Sequence, residues 1–260
     1  MKHFYERIEK MKINVGGIYQ IGGETSNEYI VIIYADDYDI YAYMFEKTDI
    51  VISKEHTVLQ KKIERDYGQF EDRNVLWEND NKKIKTVRIL NQVKSNYMNA
   101  WFENCINLTT LLDFQNLDVS DWKNFAGVFL NCMSLINISS LKNWNVSSGK
   151  TFVWMFSFCL SLRDISSLSN WNVFKGKYFS YMFGHCESLL DITSFDSWNI
   201  SYNVDVEGMF ENCINLKEIY LSDTLKNLNL DMFEDCNSNL RIHWKNKIYT
   251  YEDVIEYKKF

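Results

Sequence analysis

The residues of this chain best able to do chemistry are six cysteines that stand in register: Cys105, Cys132, Cys159, Cys186, Cys213 and Cys236, spaced 27, 27, 27, 27 and 23. Thiols in such an array could pair as disulfides, hold a metal, or lie inert in a core. Copies stacked in parallel would place neighbouring Cβ atoms about 4.8 Å apart, beyond the separation a disulfide usually spans. Metal ligands converge on one point, commonly through C-x-x-C pairs, and the sequence has no such pair. The reading that fits is a column of small, reduced, buried thiols suited to a reducing compartment.

Other reactive groups form no constellation. His3, His56, His185 and His243 are scattered, and His185 shares a column with Asn104, Asn131, Phe158, Asn212 and Asp235, a variety that reads as surface. VGGIYQIGGE places Gly17 and Gly22 at the spacing of a phosphate-binding loop. Gly23 and Glu24, however, stand where Lys and Ser/Thr would contact phosphate and Mg²⁺. No Ser-His-Asp or Cys-His arrangement emerges, so catalytic, cofactor-binding and metal-binding residues are all expected to be absent. The N-x-S/T sequons at Asn107, Asn137, Asn145 and Asn199 follow the repeat and carry little meaning without a leader.

What positions the cysteines is an internal repeat. Phe102, Phe129, Phe156, Phe183, Phe210 and Phe233 each precede a cysteine by three residues. Leu108, Leu135, Leu162, Leu189 and Leu216 follow by three, with Leu240 displaced by one; Leu111, Ile138, Ile165, Ile192 and Ile219 come three later. Leu117, Trp144, Trp171 and Trp198 make a further column, as do Phe125, Phe152, Phe179 and Val206. A fixed period of this length signals a solenoid in which each unit buries its apolar face against its neighbours. MF-x-x-C reads as a short helix or helical turn, L-x-x-I as a short strand of a parallel sheet, and WNVS as the return leg.

The pattern MF-x-x-C-x-(S/N)-L-x-x-I with an interposed WNVS resembles the BspA-like leucine-rich repeats, across roughly residues 98–245. The resemblance implies a curved solenoid and a habit of binding proteins, and it brings no catalytic residues. The expected fold is therefore an α/β solenoid of short helices or turns and parallel strands. Residues 102–240 form the repeats and 75–101 a degenerate capping coil, with Ile84, Leu90 and Met98 in the Leu/Ile, Trp and Phe125 columns. Residues 241–260 form a C-terminal cap: a strand pair, then a helix with Thr250 as N-cap and Asp253 in its first turn.

Residues 1–74 differ in kind and read as a small α+β domain. Segments 28–35 and 39–46 are dense in β-branched and aromatic residues and predict a hairpin; residues 12–21 predict another strand, and Ser53 caps a helix running to Tyr67. The net charge of -7 falls almost entirely in residues 99–260, an acidic surface that repels phosphate backbones and speaks against nucleic acid. No apolar run has the length of a leader or a membrane span, so a cytoplasmic protein is expected, with leaderless export left open.

One pair of columns is chemically graded. The residues before the Leu/Ile position, Thr110, Asn137, Asp164, Asp191, Glu218 and Arg241, should face outward from the strands, as should Tyr220 and His243 one residue after it. Asp164, Asp191, Glu218 and Tyr220 are the candidate protein-binding residues, facing a partner with a basic surface; a merely solvated face is the alternative. The expected function is a non-enzymatic protein-binding scaffold, such as an intracellular inhibitor or effector carried by a phage or mobile element. A surface adhesin and a small enzyme in residues 1–74 are the readings of other classes.

Overall fold

The computed structural model describes residues 81–89, 93–94, 100–198, 200, 204–221 and 229–257, together with the backbone of four strands between residues 18 and 53. These four are β1 (Ile18–Ile21), β2 (Glu28–Val31), β3 (Tyr41–Phe45) and β4 (Asp49–Ser53), a run of antiparallel neighbours. The hairpin read from 28–46 is β2–β3, with Ile30 opposite Tyr43. The helix expected after Ser53 lies outside the described residues.

The sheet does not stop there. β4 pairs in parallel with β5 (Thr86–Ile89), and β5 pairs in parallel with β7 (Thr110–Leu112), which belongs to the first cysteine unit. One six-stranded sheet thus runs from the N-terminal strands into the repeats. β6 (Val93–Lys94) pairs with β8 (Leu117–Asp118) beside it.

This pairing corrects the expected capping register. Val87, not Ile84, lies opposite Leu111, and Val93, not Leu90, lies opposite Leu117. The step back from the first unit is 24 residues, so Ile84 falls in the Leu108 column and Asn81 in the cysteine column. Asn81 is nearly buried there, and its Nδ2 donates to Glu103 O. Met98 lies outside the described residues.

Between residues 100 and 240 the units stack ring on ring. Phe102, Phe129, Phe156, Phe183, Phe210 and Phe233 are all fully buried. Their neighbouring centroids lie 5.4–5.7 Å apart with nearly parallel planes. Phe125, Phe152 and Phe179 stack at 5.1 and 5.2 Å, and Trp144, Trp171 and Trp198 at 6.3 Å. The leucine and Leu/Ile columns fill the space between them. Rings at this separation exchange area for area with the next unit, so a central phenylalanine buries both faces.

The MF-x-x-C segment is not a helix. Two positions per unit, five residues and one residue before the cysteine, take left-handed backbone: Gly127 and Asn131, Trp154 and Phe158, Tyr181 and His185, Gly208 and Asn212. Left-handed residues interrupt an α-helix, and each costs a non-glycine residue about 1–2 kcal/mol. The backbone compensates by alternation. Phe129 and Asn131 donate to Met155 O and Ser157 O of the next unit, while Leu130 and Cys132 close tight turns onto Gly127 O and Phe129 O. The same division recurs in the neighbouring units.

The L-x-x-I strand is also shorter than the sequence suggests in the middle units. Residue pairs Thr110–Asn137 and Asp164–Asp191 form single parallel bridges, after which the chain turns into 3-10 segments at Ser139–Leu141, Ser166–Leu168 and Thr193–Ser197. Side chains cause this. Asn137, Asp164 and Asp191 each accept the backbone N–H two residues on, at 2.7–2.8 Å, closing an Asx turn. Thr110, Glu218 and Arg241 form no such turn, and at those places the strand continues as β7, β9 (Glu218–Leu221) and β10 (Arg241–Trp244).

β10 lies parallel to β9 and antiparallel to β11 (Lys247–Thr250), which leads into α1 (Tyr251–Tyr257). Asp253 accepts both the N–H and the hydroxyl of Thr250, at 2.7 and 3.0 Å, fixing the turn into α1. Among the described residues no helix is long and apolar enough to cross a membrane.

Candidate functional site

The graded columns stand where the sequence places them, on the exposed edge carrying β7, the single bridges, β9 and β10. Asp164, Asp191, Glu218 and Tyr220 are all exposed, Tyr220 by 56%. Asp164 and Asp191 occupy consecutive units and are bridged through their backbones. Their carboxylates are not loose. Asp164 accepts the N–H and the hydroxyl of Ser166, both at 2.7 Å, and Asp191 accepts those of Thr193 at 2.8 and 3.1 Å. The residues after the Leu/Ile position therefore hold the carboxylates of the residues before it.

At the C-terminal end of this edge the chemistry changes. His243 stacks on Tyr220 with centroids 4.3 Å apart, and its Nε2 lies 2.9 Å from Glu218 Oε1. β9 and β10 set this contact, because their register places Tyr220 beside His243 and Glu218 beside Arg241. Hydrogen bonds from His243 and then Tyr220 hold the Glu218 carboxyl below its ordinary range. Acid, imidazole and phenol form one connected cluster. It can offer charge, a hydrogen bond and an aromatic face together.

The cysteine column is set apart from this edge, in the core. All six thiols are free and buried. Cys132, Cys159, Cys186 and Cys213 donate through Sγ to the carbonyls of Phe102, Phe129, Phe156 and Phe183, at 3.1–3.4 Å. Each of those carbonyls already accepts the N–H of its own unit's cysteine. The thiol occupies the second lone pair, which explains the fixed spacing from phenylalanine better than size alone. The tryptophan column repeats the device: Trp144, Trp171 and Trp198 Nε1 donate to Phe114, Leu141 and Leu168 O at 2.8–3.1 Å. Sequence reasoning missed both bonds. The constant distance from each donor to an aromatic or leucine in the preceding unit is the signal that carries them.

Sequence reasoning also passed over Trp154 and Tyr181. They alternate in one register with Gly127 and Gly208, and glycine in a column is the mark of left-handed backbone. Among the described residues no group of three or more His, Cys, Asp or Glu could hold a metal ion. His3 and His56 lie outside the described residues.

No curated protein matches the chain. The family described as "Mycoplasma protein of unknown function, DUF285" matches residues 91–224, just over half of the chain and nearly all of the stacked units. Given that coverage, the chain belongs to the Mycoplasma protein family of unknown function DUF285.

Proposed function

We propose that the stacked units are a BspA-like leucine-rich-repeat solenoid, capped at both ends, and that this chain is a non-enzymatic scaffold in the cytoplasm. Its work is to bind another protein through the strand edge. The observation that carries this reading is the ordered edge itself: Asp164 and Asp191 locked by their own turns, and Glu218, His243 and Tyr220 locked to one another. Side chains already fixed lose little entropy on association, which favours recognition. Exposed Tyr220 supplies an anchor of the kind that dominates interfaces, and the carboxylates favour a partner with a basic surface. An inhibitor or effector of that partner is the role this arrangement suits.

A photo-cross-linking residue placed at Asp191, and separately at Asn145 on the return leg, tests the reading in cells of the native host. We expect a discrete protein adduct from position 191 and none from 145. Asp164→Asn with Asp191→Asn should then weaken that complex, most visibly at low salt. Asparagine preserves the backbone turns, as Asn137 shows, while removing the charge and the acceptor of the Ser166 and Thr193 hydroxyls. Equal adducts from both positions would remove the strand edge as the site.

A further inference from the structure

The two left-handed columns change character in the middle of the stack. Elsewhere they hold small residues, Ala100, Gly127 and Gly208, in one column and the tolerant Asn104, Asn131, Asn212 and Asp235 in the other. In two consecutive units they hold Trp154 (φ 56), Phe158 (φ 59), Tyr181 (φ 55) and His185 (φ 60). Bulky residues in left-handed backbone are rare outliers, and strain of this kind gathers at ligand-binding surfaces. It is not repaid by burial, for Trp154 and Phe158 are each 39% exposed.

The side chains of Phe158, Tyr181 and His185 are nevertheless fixed. Phe158 and His185 lie face to face, with centroids 4.2 Å apart and planes within 7°. The Tyr181 hydroxyl donates to Glu207 Oε1 at 3.2 Å, and its ring covers Gly208, where an added Cβ would collide with it. His185 Nε2 lies 3.6 Å from Glu211 Oε1. The N–H of Trp154 donates to Ser180 O and that of Tyr181 to Glu207 O, so the two aromatic pairs sit on directly adjacent units. Charge on this face has one sign. The segments 99–104, 126–131, 153–158, 180–185, 207–212 and 230–235 carry six carboxylates and no lysine or arginine. Burial, then Glu234, pushes the Glu211 carboxyl above its ordinary range, as expected where negative charge is crowded.

We propose that this aromatic and acidic turn face is a second docking surface, separate from the strand edge, and that it takes an extended arginine-bearing segment of a partner protein. A guanidinium plane stacks on an exposed aromatic face and pairs with a carboxylate at the same time. Trp154, Phe158 and Tyr181 supply the faces, and Glu207 and Glu211 the carboxylates. Neighbouring units about 4.8 Å apart present these groups at a spacing an extended chain can follow.

The test uses the full chain and a fluorescein-labelled peptide of alternating arginine and alanine, read by anisotropy at low and high salt. Wild type should bind it saturably, several-fold tighter than the lysine counterpart. Trp154→Gly with Tyr181→Gly should lose at least tenfold in affinity with an unchanged or raised melting temperature, because glycine suits the backbone. Glu207→Gln with Glu211→Gln should weaken binding and flatten its salt dependence, while Glu252→Gln with Glu256→Gln, two exposed positions of α1, should leave it unchanged, and Asp164→Asn with Asp191→Asn reports on the strand edge. Equal binding by the glycine variant, or a lowered melting temperature in it, would overturn the proposal. So would loss of binding in the Asp164/Asp191 variant, which would assign the peptide to the strand edge. Binding to phosphatidylcholine vesicles in place of the peptide, or self-association in sedimentation, would replace the proposed occupant with a membrane or a second copy.

Discussion

Each buried thiol in the stack sits in surroundings that cannot solvate a thiolate. Burial raises all six above the ordinary value of 9.0, Cys236 to about 12. A group whose folded value is raised contributes its full stability below its unfolded value and loses it as pH climbs toward the folded one. Only the unfolded chain ionises in that window. Above the ordinary thiol value each thiol therefore withdraws stability with every further rise in pH. We expect the urea midpoint to fall sharply between pH 8 and pH 10. The fall should be shallower in a Cys132→Ala, Cys186→Ala variant, which removes two of the groups. A profile as steep in that variant as in wild type would show that other groups govern the alkaline limb.

The elements between those residues are governed by turn chemistry more than by propensity. Asp191 illustrates it, because its carboxylate accepts the Thr193 N–H and thereby ends the strand after one bridge. Asp191→Asn should leave stability unchanged within about 0.5 kcal/mol, whereas Asp191→Ala should cost about 1 kcal/mol through the lost side-chain acceptor. Thermal melts of the two variants check this, and equal melting points would show that the turn stands without the side chain. This is also where the sequence was harder to read. The apolar columns were legible, since burial repeats with the period, and Phe156, Leu162 and Ile165 all lie in the core. The elements carrying them were less so, because a single Asn or Asp decides between strand and 3-10 turn. The left-handed positions hid the absence of a helix in MF-x-x-C, and an irregular 24-residue step displaced Ile84 from its expected column. Of the candidate site, the exposure of Asp164, Asp191, Glu218 and Tyr220 was legible. The bonds that hold them were not, for these depend on which strands continue.

At the scale of the whole molecule, the ring stacking and backbone hydrogen bonds of the described units run from each unit to the next. Phe183 stacks on Phe156 and on Phe210, whereas Phe233 at the end of the column stacks on Phe210. Phe183→Ala should cost about 3–5 kcal/mol and Phe233→Ala distinctly less, since a central ring serves two interfaces. Urea unfolding of both variants decides the matter, and equal losses would mean that the C-terminal cap is as critical as the centre. The ladder of N–H groups donated across units has a consequence for how such a chain can change its length. Lys150 N bonds Lys123 O and Lys177 N bonds Lys150 O, so the same junction is made twice in succession. A gene duplication that copies residues 151–177 would recreate that junction a third time, with no new interface to invent and no distant partner to adjust. Length is then a heritable variable, and each inserted copy would add one more unit-to-unit interface and lengthen both outer faces by one further row of side chains.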